Sequence, residues 1–354
     1  MIMHKIVTED VEEVISGMIP FEKIYGKTVL ISGANGYVPA YFVHTFLALN
    51  ESMNANIKVL ALCRNENRAN DRFSEYKHRD DFRLIIQDVC EPIAVNEAVH
   101  VFIHAASPAG IKKRHDDPVN TFLANVDGVK NMLDLAVKNP CEYFLFISSV
   151  DVYGKLDNRE RITEEKSGYL DPLNVRNTYS CGKRAAESLC KAYQVKHDLP
   201  VFIVRPFQII GPGPELDDGR LHIDFISQII SKNEIILKSD GTAVRTFMYI
   251  TDAVRAMFYV LFYGVPGEAY NIVMEDGEAT VKELADLMAS VVAEKSVNVV
   301  FDHAQRNTIE VTGALSVVTG DSAKLSALGW EPRYSIKDGA VRMMRYYGIK
   351  TKGV

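Results

Sequence analysis

The 354-residue chain is 47% hydrophobic and 24% charged, which is ordinary for a folded globular protein, and its length predicts a large domain with a smaller one attached. The formal net charge of -6 argues against non-specific binding to nucleic acid, which requires a basic surface. No apolar run approaches the length that spans a membrane, and the acidic N-terminal segment does not resemble a secretion signal.

The cysteines and histidines show neither a disulfide framework nor a metal site. The five cysteines are scattered without a Cys-x-x-Cys pair, and the nine histidines lack ligand spacing. We therefore expect reduced thiols, a cytoplasmic protein and no bound metal.

The segment before residue 27 predicts an amphipathic helix, which either packs on the main domain or serves an oligomer contact. Its apolar positions are Ile6, Val11, Val14, Ile15 and Met18.

From residue 27 to about residue 204, short apolar runs alternate with longer helical stretches. The predicted strands are Lys27–Ile31, Ile57–Leu62, Phe82–Ile86, His100–His104, Tyr143–Ile147 and Val201–Val204, with a further strand-like run at Phe247–Ile250. Helices are predicted between them, for example at Tyr41–Leu49, Pro118–Val137 and Thr178–Lys196. Strands of this type are buried on both faces, so the pattern predicts an α/β fold with a Rossmann-type, doubly wound parallel sheet.

The C-terminal third is less regular and predicts a smaller substrate-binding domain. Residues 211–219 are rich in glycine, proline and aspartate and predict a loop. Helices are expected near Leu221–Ser231 and Val281–Ala293.

A glycine turn follows the first predicted strand, in the run VLISGANGYVPA at 29–40. Glycines let the backbone approach a pyrophosphate, and the N-terminus of the following helix supplies free N–H groups. Pro39 stands where a third glycine is usual, which the first turn of a helix tolerates. The run predicts dinucleotide contacts from Gly33, Asn35, Gly36 and Tyr37; a turn without a ligand is the alternative.

Arg64 follows the second predicted strand, where dinucleotide sites often carry an acid that binds the ribose 2′-hydroxyl. Arginine can pair with a 2′-phosphate, stack on adenine or lie in solvent, so NAD and NADP are both open. Asp88, after the third strand, either contacts the adenine amino group or caps its loop.

Tyr179 and Lys183 lie four residues apart on a predicted helix and share a face. A free tyrosine, with a pKa near ~10, is a poor base at neutral pH. A neighbouring ammonium group and a cationic nicotinamide ring would stabilise the phenolate. The spacing is common by chance, but here it follows a strand that ends in Ser148 and Ser149, and together they predict proton removal from a substrate hydroxyl.

These features together resemble the extended short-chain dehydrogenase/reductase family, in its nucleotide-sugar epimerase/dehydratase branch. From about Lys27 to Tyr334 the segments look most like UDP-glucuronate decarboxylases. The similar segments are HAASPA at 104–109, DP at 117–118 with NVDG at 125–128, NTYSCGKRAAESL at 177–189, DGR at 218–220, DG at 240–241 with RTFMYITD at 245–252, and LGWEP at 328–332.

The resemblance implies roles for individual residues. The implied catalytic residues are Ser149, Asp151, Tyr179 and Lys183. The implied cofactor contacts are Gly33, Asn35, Gly36, Tyr37, Arg64, Asp88, Ala105, Ala106, Ser107, Tyr179 and Lys183. The implied substrate contacts are Ser107, Gln208, Arg220 and Arg245. The cofactor is expected to be NAD, with NADP as the alternative, and the substrate a nucleotide-linked sugar.

The resemblance also implies a division of the chain. We expect an N-terminal helical extension at 1–26, an NAD(P)-binding domain at 27–204 with about 247–272, and a nucleotide-sugar-binding domain at 205–246 and 273–354. A homodimer is expected, formed by two helices near Asn120–Val137 and Thr178–Lys196.

The implied chemistry is oxidation at sugar C4 to a 4-keto intermediate, followed by decarboxylation, dehydration or epimerisation. Several positions depart from the family pattern. Val150 and Asp151 follow Ser149, where dehydratases carry Asp–Glu and decarboxylases Ser–Glu, so a 4,6-dehydratase is disfavoured and the carboxylate is one methylene shorter. Gln208 replaces a common asparagine, Gly213 an arginine, and 307–318 lacks an Arg-x-Pro-Asp pattern.

Two other functions fit the sequence. An NADPH-dependent carbonyl or 4-keto-sugar reductase is supported by Arg64. A non-catalytic dinucleotide-binding protein would keep the glycine turn, but such proteins lose the tyrosine or the lysine, and both are present here.

Overall fold

The computed structural model describes residues 3–108, 110, 114, 116–156, 160–293, 295–302 and 317–352. Of the segments named above, Ala109 and residues 307–316 lie outside these ranges. The strands are β1 Thr28–Ser32, β2 Lys58–Cys63, β3 Phe82–Ile86, β4 Val101–His104, β5 Tyr143–Ile147, β6 Val201–Pro206, β7 Gln208–Ile210, β8 Glu234–Leu237, β9 Val244–Tyr249, β10 Ala269–Ile272, β11 Glu278–Thr280, β12 Asn298–Phe301 and β13 Val317–Val318. The helices are α1 Lys5–Ile15, α2 Tyr37–Met53, α3 Glu66–Arg72, α4 Pro118–Val137, α5 Thr178–His197, α6 Leu221–Lys232, α7 Ile250–Tyr263, α8 Val281–Val291, α9 Ala323–Ser326 and α10 Ile336–Tyr346.

A seven-stranded sheet, counted over the described residues, forms the larger part of the fold. Its order is β3-β2-β1-β4-β5-β6-β10, and every neighbouring pair is parallel. The order reverses between β1 and β4, and the crevice beyond the carboxyl ends of those strands is where such sheets bind ligands. The predicted α/β, doubly wound class is confirmed.

Helices cover both faces of this sheet, because successive side chains of a strand point to opposite sides. Val29 and Ile31 of β1 pack in one buried cluster with α2 and α7, whereas Leu30 packs in a second cluster with α4 and α5. Strands covered on both faces must be apolar throughout, which explains why they were recognisable in the sequence.

The remaining strands form a smaller unit. β11, β9 and β13 pair in that order, β7 joins β9, and β8 pairs with β12. Helices α6, α8 and α10 contribute to a third buried cluster with this unit. The carboxyl-end loops of the large sheet face it across a cleft.

Two sequence predictions need correction here. The strand predicted at Phe247–Ile250 belongs to the small sheet as β9, not to the large domain, and Ile250 begins α7. The large sheet instead gains β10, which had not been predicted as a strand. Met18 is exposed rather than part of the apolar helix face, because α1 ends at Ile15 before Gly17.

Helix α1 packs on the main body, as one of the two alternatives predicted. Its Asp10 is fully buried and accepts hydrogen bonds from the Tyr41 hydroxyl (3.1 Å) and the Tyr249 hydroxyl (2.8 Å). Arg342 of α10 donates from Nε to the same carboxylate at 3.0 Å. This group, which we call the Asp10 network, joins α1 to α2, β9 and α10. Among the described helices, none is long and apolar enough to cross a bilayer.

Candidate active site

A cleft of about 1010 Å³ lies between the carboxyl ends of the large sheet and the small unit. All the predicted site residues line it: Gly33, Asn35, Gly36, Tyr37, Arg64, Asp88, Ala105, Ala106, Ser107, Ser149, Asp151, Tyr179, Lys183, Gln208, Arg220 and Arg245. Residues spread over more than 200 positions of sequence therefore converge on one cavity.

The glycine turn has the geometry of a dinucleotide cradle. Gly33 has φ +65°, and a Cβ there would lie 2.7 Å from the Ala106 Cα, so a side chain is excluded. Helix α2 begins at Tyr37, and its N-cap Gly36 provides no side-chain cap. The first N–H groups of α2 therefore face the cleft without a side-chain partner, which suits a pyrophosphate.

Ser32 and His104 support this turn from beneath. The Ser32 Oγ accepts N–H hydrogen bonds from Ala105 (3.2 Å) and Ala106 (3.4 Å), and lies 2.8 Å from His104 Nδ1. Burial lowers the pKa of His104 to about 3, so its ring is neutral at pH 7. With both acceptor sites of the hydroxyl in use, Ser32 donates to Nδ1. Neither residue had been predicted; Ser32 precedes the glycine turn and His104 ends β4.

The end of the cleft beside β2 and β3 carries Arg64 and Asp88. An Asp88 carboxylate oxygen accepts from the Cys90 N–H at 2.9 Å, and the other lies 3.5 Å from Arg64 Nη1. Burial alone would raise the pKa of Asp88, but the Cys90 hydrogen bonds and the Arg64 charge outweigh it and hold that pKa below its usual range. Tyr37 is buried against the other half of the cleft, with Arg220 Cζ 5.2 Å from its ring centroid.

The proposed catalytic residues meet at the carboxyl end of β5. Lys183 Nζ donates to the Ile147 carbonyl at 2.7 Å and lies 5.9 Å from the Tyr179 ring centroid. Both side chains are buried and line the same cleft. Ser149 lines the same cleft as Tyr179, and its hydroxyl oxygen accepts from the Asp151 N–H at 3.2 Å. Burial raises the pKa of Tyr179, and burial lowers the pKa of Lys183 to about 7.

The side of the cleft that was predicted to bind substrate carries several charged side chains. Arg220 pairs with Asp218 at 2.9 Å. Burial lowers the pKa of Arg245, and the Asp151 charge opposes that shift. The Ser107 hydroxyl is buried without a hydrogen-bond partner among the described residues, so it is free for a ligand.

The model of the NAD dependent epimerase/dehydratase family matches residues 29–273, about two thirds of the chain. This chain belongs to that family. The match begins at β1 and ends just after β10, so it covers the whole large sheet of the epimerase/dehydratase fold together with β7 to β9.

Relatives of this epimerase/dehydratase family member include two enzymes of Arabidopsis thaliana. UDP-glucuronic acid decarboxylase 5 is 30% identical over 330 residues, covering 91% of this chain and 89% of the relative. UDP-glucuronic acid decarboxylase 2 is 29% identical over 343 residues, covering 95% and 72%.

Solved structures share the fold. UDP-glucuronic acid 4-epimerase from Bacillus cereus, in complex with UDP-glucuronic acid and NAD, has a TM-score of 0.72 and 20% identity, covering 91% of this chain and 99% of its own. RMD from Pseudomonas aeruginosa, complexed with NADPH, has a TM-score of 0.70 and 24% identity, covering 91% and 98%. The structural relatives of this family member thus include complexes with either cofactor.

Two charged residues near Tyr179 and Lys183 had not been predicted, Glu187 beside the cleft and Arg114 in its lining. Glu187 lies one turn beyond Lys183, accepts from Ser148 Oγ at 2.5 Å and pairs with Arg205 at 2.7 Å. The same i, i+4 spacing that identified Tyr179 and Lys183 would have pointed to it. Arg114 stacks on the Tyr179 ring, with its Cζ 3.4 Å from the centroid. It follows two lysines in sequence, and no motif or spacing there singled it out.

Proposed function

We propose that this protein modifies a nucleotide-linked sugar through a 4-keto intermediate, in a reaction like that of UDP-glucuronate decarboxylases or of the 4-epimerases. The observation that carries the proposal is the convergence of Ser149, Tyr179 and Lys183 beside the glycine turn, within one cleft. NAD would supply a hydride acceptor for sugar C4 and, where the cofactor is regenerated in place, a hydride donor.

The residues of this chain then have distinct tasks. Ser149 holds the C4 oxygen by its hydroxyl, and Tyr179 takes the proton from that oxygen. Lys183, anchored on the Ile147 carbonyl, stays within 5.9 Å of the tyrosine ring. Arg245 and Arg220 bind the nucleotide diphosphate and the sugar side. Asp151 provides the carboxylate that acts on the carbons next to the ketone.

The test is direct assay with a panel of nucleotide sugars. Purified protein is analysed by mass spectrometry for bound dinucleotide and then incubated with UDP-, GDP-, CDP- and dTDP-sugars, beginning with UDP-glucuronate. We expect a converted sugar with little net change in cofactor. Stoichiometric consumption of NADPH would contradict this and support the reductase.

The reductase remains a second candidate because of Arg64. Its side chain follows β2, is 68% exposed and lies within reach of Asp88. Arginine thus stands at the position where an acid often binds the ribose 2′-hydroxyl. A guanidinium there favours a 2′-phosphate over a 2′-hydroxyl.

Replacing Arg64 with alanine tests the cofactor preference. We expect Arg64→Ala to weaken NADPH binding about tenfold, the loss of one charge-assisted contact, and to leave NADH binding within about twofold. Binding is measured by fluorescence titration. Arg83→Ala removes another exposed, ion-paired arginine outside the cleft and is the control. Equal NADPH affinity in Arg64→Ala and wild type would show that Arg64 does not contact the phosphate.

We also propose a homodimer formed by α4 and α5. These helices pack together on one face of the large sheet, and their outer surface exposes Val119, Leu123 and Val137 from α4 and Val195 from α5. Burying such side chains against a second copy would form a four-helix contact.

A substitution on this surface should separate the protomers. We expect wild type to sediment at twice its 39.6 kDa chain mass at micromolar concentration, and Leu123→Asp to sediment as a monomer. Ile230→Asp, at an exposed isoleucine of α6, is the control and should stay dimeric. A monomeric wild-type protein would refute the dimer.

The compartment is a further proposal. All five cysteines are unpaired in the structure, and Cys63 and Cys190 are buried. Unpaired thiols are typical of a reducing compartment such as the cytoplasm.

A further inference from the structure

Arg114 is held on three sides at the catalytic tyrosine. Its guanidinium carbon lies 3.4 Å from the centroid of the Tyr179 ring. Its Nη1 lies 3.2 Å from an Asp151 carboxylate oxygen, and its Nε donates to the Pro108 carbonyl at 3.1 Å. A planar guanidinium stacks on an aromatic face and keeps its edge free for acceptors, which is the arrangement seen here.

Lys183 is placed differently. Its Nζ is directed to the Ile147 carbonyl, 2.7 Å away, and lies 4.8 Å from the Phe146 ring centroid. Its distance to the Tyr179 centroid is 5.9 Å, compared with 3.4 Å for Arg114. Arg114 is therefore the cation nearest to the tyrosine ring among the described residues.

The two cations also differ in charge at neutral pH. Burial lowers the pKa of Lys183 to about 7; the charge of Arg114 contributes to that shift and the charge of Glu187 opposes it. The ammonium charge of Lys183 is therefore held less firmly at neutral pH than that of a solvent-exposed lysine. Arginine stays protonated throughout this range.

The charged and polar groups that face Tyr179 come from four parts of the chain. Burial raises the pKa of Tyr179; the Arg114 charge opposes this most strongly, the Asp151 charge adds to it, and the Ser149 hydrogen bond and Arg220 oppose it. Lys183, on the same helix as Tyr179, also lies near the tyrosine ring.

We propose that Arg114 is a positioning residue that supplies the permanent positive charge beside the Tyr179 phenol, a role that the more distant Lys183 fills only in part. The inference rests on the proposed function, in which Tyr179 removes a substrate proton. By bonding the Pro108 carbonyl and Asp151, Arg114 also links the loop after β4 and the turn after β5 to the tyrosine ring.

The decisive experiment measures the pKa of the phenol at position 179 in the absence of substrate. Difluorotyrosine is incorporated at position 179 and titrated by 19F NMR, because its lower intrinsic pKa brings the midpoint into a range where the protein stays folded. A single fluorinated site also avoids overlap among the 16 tyrosines. We expect Arg114→Gln to raise the midpoint by about one pH unit, and Arg114→Lys to raise it less.

Arg176→Gln is the matched control, since Arg176 is an exposed arginine on the turn that leads into α5. Its midpoint should equal that of wild type. A midpoint in Arg114→Gln within about 0.2 pH unit of wild type would overturn the proposal. If Arg114→Gln does not fold, Arg114→Met decides, because methionine also removes the charge while keeping a long side chain against the Tyr179 ring; a midpoint within about 0.2 pH unit of wild type would again overturn the proposal.

Activity provides a second measurement that depends on the proposed function. The acidic limb of kcat against pH should move to higher pH by about one unit in Arg114→Gln, with KM changed less than about threefold. If no nucleotide sugar is converted by wild type, the proposed function fails while the NMR midpoints still decide the role of Arg114. An unshifted limb together with unshifted midpoints would assign Arg114 to loop packing alone.

Discussion

Replacing Tyr179 with phenylalanine should lower kcat by about 1000-fold, within the range typical for loss of a general base. The ring would still fill its buried position beneath Arg114, so we expect the fold and the KM to change little. The substitution removes only the hydroxyl group, which is the group that takes the proton. The measurement is turnover of the substrate identified from the panel, with far-UV circular dichroism and thermal unfolding recorded for each variant.

Tyr193→Phe is the matched control for this experiment. Tyr193 lies on the same helix as Tyr179, and its hydroxyl donates to Asp134 at 2.5 Å, away from the cleft. The same chemical change there should leave kcat within about twofold of wild type. Full turnover by Tyr179→Phe would remove the catalytic assignment, whereas equal losses in both variants would indicate a general effect on α5.

Replacing Asp10 with alanine should lower the free energy of unfolding by about 3 kcal/mol, the scale for breaking a buried ion pair by removing one partner. The loss arises because Arg342, Tyr41 and Tyr249 all donate to this one carboxylate, and alanine leaves those donors without an acceptor. Asp10→Asn keeps an acceptor oxygen and should lose less. Urea unfolding of wild type and both variants measures these losses in the free energy of unfolding.

Glu9 offers a control one residue away. It also pairs with Arg342, at 3.2 Å, but its side chain is 41% exposed. Because exposed pairs contribute little, Glu9→Ala should cost less than about 1 kcal/mol. Similar losses for Glu9→Ala and Asp10→Ala would mean that helix α1, rather than the buried Asp10 network, determines the stability.

The large sheet was predictable because its strands are buried on both faces. Runs such as Tyr143–Ile147 must be continuously apolar, so their hydrophobicity alone marks them. The short strands of the small sheet lack that signal. β7 has three residues and β13 has two, too few for any period to appear.

The residues of the candidate site and of the Asp10 network divide in the same way between predictable and unpredictable ones. Gly33, Tyr179 and Lys183 were found because a turn and a helix fix their spacing locally. Arg114 and Asp10 were not, because their roles depend on partners brought together by tertiary packing. In the sequence Asp10 is one acid among several on an amphipathic segment; only the folded chain places it between Tyr249 and Arg342.

Asp10 and Arg342 are separated by 332 positions, which has a consequence for synthesis on the ribosome. At about 5–20 residues per second, α1 emerges roughly tens of seconds before the helix that neutralises its buried acid. During that interval an uncompensated carboxylate opposes docking of α1 onto α2. We therefore expect the first helix to be among the last parts of the protein to settle, and nascent chains halted before Arg342 to be cut there by proteases.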